Sequence, residues 1–254
     1  MPAVFIGHGS PMNALEHNRY TQAWHDFGRS IPKPRAILAV SAHWWINATA
    51  VTAMESPKTI HDFYGFPEEL FEFRYDAAGS PAVAHQVAET LSPLWVGNDV
   101  DSWGLDHGTW SVLAHMFPDA DVPVVQLSLD ATKSFADHVA IGAALAPLRE
   151  DGVLILSSGN AVHNLRMIDW GTPDGGYDWA VEFDAHVRNA MQSDPASLSG
   201  IEGHPAYALA SPTPDHFVPL LYTAGVAADA GCGAEVLVGG CAMGSLSMTS
   251  FVVR

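Results

Sequence analysis

Residues 152–165 read GVLILSSGNAVHNL. An apolar run of that length, broken by Ser-Ser-Gly, is what a strand covered on both faces requires. His163 follows a few residues past its end. VPVVQLSL (122–129) repeats the pattern, and further strands are expected at 3–6, 35–42, 48–54, 235–239 and 246–253. Helical stretches separate them. Ser80-Pro81 opens AVAHQVAETL with a capping hydroxyl and a first-turn proline. Asp178 opens WAVEFDAHVRNAM, and residues 134–149 read as a surface helix packed by Ala and Leu. Thr213-Pro214 opens DHFVPLLYTAGV, which puts His216 in a first turn. This alternation predicts an α/β fold: a central mostly parallel or mixed sheet, flanked by helices, in one domain over residues 1–254.

The same strands direct attention to their exits. His8 follows PAVFIG and is flanked by Gly7 and Gly9; His43 follows RAILAVSA; His107 lies in GLDHGTW, read as a Gly-flanked loop. Ligands of open α/β sheets gather beyond the carboxyl ends of the strands. Histidines in such places therefore predict a mononuclear metal site there, since neutral imidazole is the commonest transition-metal ligand. Three imidazoles with open positions suit Zn(II) for hydrolysis or Fe(II) for oxygen chemistry, and Asp215 beside His216 keeps a carboxylate ligand open. His17, His25, His61, His85, His115, His138, His186 and His204 read more simply as helix-surface or loop residues. No GxSxG elbow, P-loop, GxGxxG or HExxH motif competes.

The 254 residues carry 11 Lys and Arg against 28 Asp and Glu, a formal charge of −17. Such a chain repels phosphate backbones and anionic lipid, so nucleic acid and membrane are not expected partners. Cys232 and Cys241 do not make a disulfide framework and read as two buried thiols. With no leader pattern and no run of about 20 apolar residues, a cytoplasmic location is expected. Two long loops, 56–79 and 164–176, stand out as pocket walls. In the first, with its neighbourhood, Trp44, His61, Phe63, Tyr64 and Phe66 are candidates to line a substrate pocket.

Several segments together carry a resemblance: FIGHGSPMNAL, AILAVSAHW, HDFYGFPEELF, GLDHGTW followed by PVVQLSL, SSGNAVHNLR, SPTPDHFVPLL and GSLSMTSF. They span the chain in order, and the chain resembles the class III extradiol ring-cleaving dioxygenases, in particular their DOPA 4,5-dioxygenase-like branch. The resemblance implies metal ligands at His8, His43 and His216. It implies an acid/base at His163, sometimes a fourth ligand, and a second active-site histidine at His107. Fe(II) is the implied cofactor for activity, with Zn(II) able to occupy the same site. The implied substrates are a catechol, DOPA-like or related, and O2, giving a ring-opened semialdehyde. A zinc hydrolase or lyase on this scaffold, or a non-catalytic binding protein of the same fold, are the competing expectations.

Overall fold

Burial along the central strands is continuous, and their side chains alternate between two apolar layers. Ala3 and Phe5 of β1 (Ala3–Gly7) enter one layer, Val4 and Ile6 the other. Val153 and Ile155 of β6 (Val153–Gly159) likewise oppose Leu154 and Leu156. Both faces are covered, as a parallel core demands. At about 25 cal/mol per Å2 of apolar surface, each fully buried Phe, Ile or Leu contributes about 1.5–3 kcal/mol. A Phe5→Asp change would break both the pattern and the layer.

The computed structural model describes residues 1–254. After β1 come α1 (Arg19–Ser30), β2 (Ala36–Ile46), β3 (Ala50–Thr52), α2 (Glu68–Glu72), α3 (Pro81–Thr90) and β4 (Gly97–Asp99). Next are α4 (His107–Met116), β5 (Val124–Asp130) and α5 (Phe135–Leu145), then β6. The remainder is α6 (Asp178–Ser193), α7 (Tyr207–Ala210), α8 (Val218–Asp229), β7 (Glu235–Val238), β8 (Cys241–Ala242), β9 (Leu246–Ser247) and β10 (Ser250–Val253). Eight strands form one sheet in the order β4-β3-β5-β2-β6-β1-β10-β7, with β8 and β9 a separate pair. The centre, β5-β2-β6-β1, is parallel, while β10, β7 and the β3–β5 pairing are antiparallel. The mixed α/β sheet predicted from the sequence is the observed one. No helix is long and apolar enough to cross a membrane.

Local expectations are corrected in several places. β2 runs to Ile46, so His43 lies inside a strand and not beyond it. Its register against β5 slips between Val40 and Trp45, an irregularity of the kind that re-aims side chains beside active sites. His107 is the first residue of α4, with Asp106 as N-cap accepting from Thr109 N at 3.1 Å. His216 sits in a turn two residues before α8. The run 246–253 divides into β9 and β10, and α1, α4 and β4 were not expected. Cys241 is buried but Cys232 is exposed.

His138 is not on a surface. It is buried between α5 and α8, its Nδ1 3.2 Å from the Tyr222 hydroxyl and its Nε2 unpartnered. Burial pushes its pKa down to about 4. The folded chain therefore stays unprotonated there while an unfolded chain binds a proton below about pH 6.5. Stability from this group is present above that value and lost as pH falls towards 4, by roughly 2–3 kcal/mol. Urea unfolding at pH 7.5 and 4.5 is expected to show a larger loss in the natural chain than in His138→Gln. Equal losses would remove His138 from the account.

Candidate metal centre

Five imidazoles meet at the carboxyl end of the parallel strands. His8 leaves β1, His43 projects from the irregular part of β2, and His107 opens α4. His163 follows β6, and His216 stands in the turn before α8. Two glycines make this closeness possible. A Cβ on Gly159 would meet the His216 carbonyl at 2.2 Å, so only glycine lets the 216 turn press onto the end of β6. A Cβ on Gly108 would reach Ser41 Oγ at 2.5 Å and His43 Cδ2 at 2.8 Å.

Each of four rings is held by its Nδ1. His8 Nδ1 lies 2.9 Å from Ser158 Oγ. That hydroxyl donates its own proton to the Gly108 carbonyl, so it must accept from His8, which leaves His8 Nε2 a bare lone pair. Asp62 accepts from His43 Nδ1 at 3.1 Å through one oxygen. Through the other it accepts from His107 Nδ1 at 2.8 Å and from the His107 backbone N–H at 3.1 Å. His216 Nδ1 is held by Asp215. Beneath the rings, Ser41 donates to Asp106 at 2.7 Å, and Gln126 donates to the same carboxylate. Oriented Nδ1 protons and free Nε2 atoms are the arrangement found around metal-ligating histidines.

The distances suit an ion. His8 Nε2 and His43 Nε2 face each other at 3.3 Å. Two imidazole nitrogens about 2.1 Å from one ion at a tetrahedral angle lie about 3.4 Å apart, and their ring centres about 5.2 Å apart. Ring centres of His8, His43 and His216 are separated by 5.2, 5.3 and 5.0 Å. His8, His43 and His107 also bring donor atoms within 4.8 Å of one another. The rings of His43 and His107, however, are only 3.9 Å apart, too tight for both to radiate from one ion. His163 stacks on His216 at 3.5 Å and 2°.

Burial and the neighbouring imidazoles hold His8 and His216 well below the ordinary histidine value. Burial also lowers His163, to about 4. For His43, burial pulls down, but the Asp62 hydrogen bond and the Asp106 and Asp215 charges outweigh it, so the net shift is upward. Burial and the charge of His43 lower His107 against the pull of Asp62. Asp62 itself falls far below the carboxylate range, because its bonds from His107 and His43 outweigh its burial.

Above the rings opens a cleft of about 390 Å3, walled by Phe63, Tyr64, Phe66, Leu165, Ile168 and Leu246 among others. Phe63 and Tyr64 therefore line it. Trp44 and His61 do not. Trp44 is next to His43 on a pleated strand and so points to the opposite face, where it stacks on Trp103 at 5.7 Å. His61 Nε2 donates to the Phe73 carbonyl at 2.9 Å, and its ring packs on Trp110. Asp62 was absent from the candidates. Its sequence signal is its place in HDFYGFPEELF, but nothing there reveals that it clamps two distant histidines.

Residues 2–251 match the family described as the catalytic LigB subunit of aromatic ring-opening dioxygenase. The chain belongs to that family, and its enzymatic class is aromatic ring-opening dioxygenase. It is 48% identical over 254 residues to a 4,5-DOPA dioxygenase extradiol of Escherichia coli K12, covering 98% of this chain and 93% of that one. A Beta vulgaris protein of the same name is 38% identical, covering 89% and 86%. A crystal structure of an uncharacterized Escherichia coli K12 protein superposes with a TM-score of 0.87 at 43% identity, covering both chains fully.

Proposed function

We propose that this single domain binds one Fe(II) through His8, His43 and His216 and opens the ring of a DOPA-like catechol beside its diol, using O2, to give a semialdehyde. The observation that carries this reading is the pair of Nε2 atoms of His8 and His43 facing each other at 3.3 Å. Two ring nitrogens so close call for a positive charge between them, a proton on His43 or a metal cation in its place, and the three ring separations near 5.2 Å suit one ion. Zn(II) fits the same donors, but it is not redox-active and cannot support oxygen chemistry.

When bound, the metal would supply Lewis acidity toward the diol and electron transfer to dioxygen. The chain supplies the rest. His163 makes no side-chain hydrogen bond and is held neutral by burial; its free nitrogen takes a phenolic proton and later returns it. Its 3.5 Å stack on His216 is too close for a fourth ligand, so acid/base work is its role. His107, its Nδ1–H committed to Asp62, offers Nε2 as a second proton-handling atom beside the diol. Phe63, with Leu246 and Ile168, walls the ring from water.

Reconstitution with Fe(II) without air, followed by a catechol and oxygen, is expected to consume one O2 per ring and yield a yellow product. His8→Ala is expected to lose both metal and product. A chain that holds its metal yet consumes no oxygen with any catechol would refute the reading.

A further inference from the structure

The cleft over the imidazoles does not end at its walls. A second cavity of about 490 Å3 adjoins it, and Ser10, Phe66, Trp170 and Met243 line both. A ring held over the histidines therefore has a side chamber into which a substituent can extend, and the chemistry of that chamber is readable.

Across both cavities the only Lys or Arg is Arg19. Its guanidinium is already engaged: Nη1 donates to the Gly239 carbonyl at 2.7 Å, and Nη2 donates to Asp174 at 2.8 Å and to the Tyr20 hydroxyl. Of the three carboxylates, Asp174 is held by Arg19, and Asp62 is held by His43 and His107. Glu16 remains. It lines the side chamber at an exposed position, and its carboxylate makes no hydrogen bond or ion pair. Beside it in the lining are the aromatic rings of Tyr20, Phe66 and Trp170 and the thioethers of Met12 and Met248. A free carboxylate among aromatic faces, with no free cation near, is a setting for an ammonium group on a short apolar stem.

The geometry points to the side chamber as a subsite for a positively charged aminoalkyl tail on the catechol, with Glu16 pairing the ammonium. Anionic tails find no free cation there and meet an uncompensated carboxylate. The inference rests on the ring-cleavage reading for the position of the aromatic ring, and it names the substituent that position selects. It makes Glu16 a specificity-determining residue.

Four catechols differing only in their tails test it on the Fe(II)-loaded enzyme: 4-methylcatechol, dopamine, dihydroxyphenylalanine and dihydroxyphenylpropionate. Dopamine is expected to exceed dihydroxyphenylpropionate in kcat/KM by about tenfold. Glu16→Gln is expected to lower the dopamine-to-4-methylcatechol ratio about fivefold, through KM, as loss of a partly solvated ion pair does. Glu16→Asp is expected to recover part of that ratio. Dihydroxyphenylalanine reports whether an added carboxylate is tolerated beside the ammonium; turnover below that of dihydroxyphenylpropionate would count against the subsite. Equal turnover of all four, or an unchanged ratio in Glu16→Gln, would overturn it. Calorimetry without oxygen, comparing tyramine with hydroxyphenylpropionate, reads the same preference without any ring opening. If no catechol is cleaved but tyramine still binds in preference, and Glu16→Gln abolishes that, only the ring-cleavage reading fails. If neither phenol is preferred, this inference fails.

Discussion

His163→Ala is expected to keep its metal and lose turnover by about 10^2- to 10^4-fold, the range that a positioned acid/base supplies. The separation follows from geometry. His163 makes no hydrogen bond through its ring, and it lies face to face with His216 at 3.5 Å instead of radiating from a shared centre. Removing it leaves the Nδ1 anchors of His8, His43 and His216 in place on Ser158, Asp62 and Asp215. Elemental analysis alongside oxygen uptake checks both halves. His163→Asn, which retains a polar side chain at that position, is expected to be similarly slow. Normal turnover would end the acid/base role, and metal loss matching His8→Ala would make His163 a ligand.

Asp62→Asn is the second large effect, and it acts through a neighbour. The carboxylate has two oxygens, one taken by His43 and the other by both His107 donors. An asparagine has a single carbonyl oxygen, which the two His107 N–H groups hold. Its amide N–H2 then faces His43 Nδ1, which must accept. His43 would carry its proton on Nε2, the atom needed as a metal donor. Metal affinity is expected to fall about 10- to 100-fold, as for other changes around metal-bound histidines. Competition against a chelator measures this without turnover. Affinity equal to the natural chain would show that Asp62 does not set the His43 tautomer.

The sequence made the α/β class legible because buried parallel strands write themselves as apolar runs. VLILSSG and VVQLSLD are covered on both faces, so apolar side chains dominate them, and even polar members such as Gln126, Ser128, Ser157 and Ser158 are buried. Short edge strands have no such signature: Gly97–Asp99 pairs only with Ala50–Thr52 and carries no apolar residue to announce it. Helix α4 was hidden for another reason. Its first residues, His107-Gly108-Thr109, are poor helix formers, and the Asp106 cap and the packing of Trp110 and Leu113 overrule that preference.

Four of the five histidines were legible in the same way, as imidazoles near the exits of recognisable strands or at a Pro-marked helix start, and His107 was legible only as part of a Gly-flanked loop. Trp44 shows the limit. It lies one residue from His43, yet the period of a strand sends it to the other face. What the sequence determined alone was the layered sheet and which residue types wait at its carboxyl end, because both follow from local periodicity. Only the tertiary structure decided which nitrogen of each ring is free, since that depends on Ser158, Asp62 and Asp215. Ser158 holds His8 across 150 residues of chain and Asp62 holds His107 across 45, and no local pattern encodes contacts at that range.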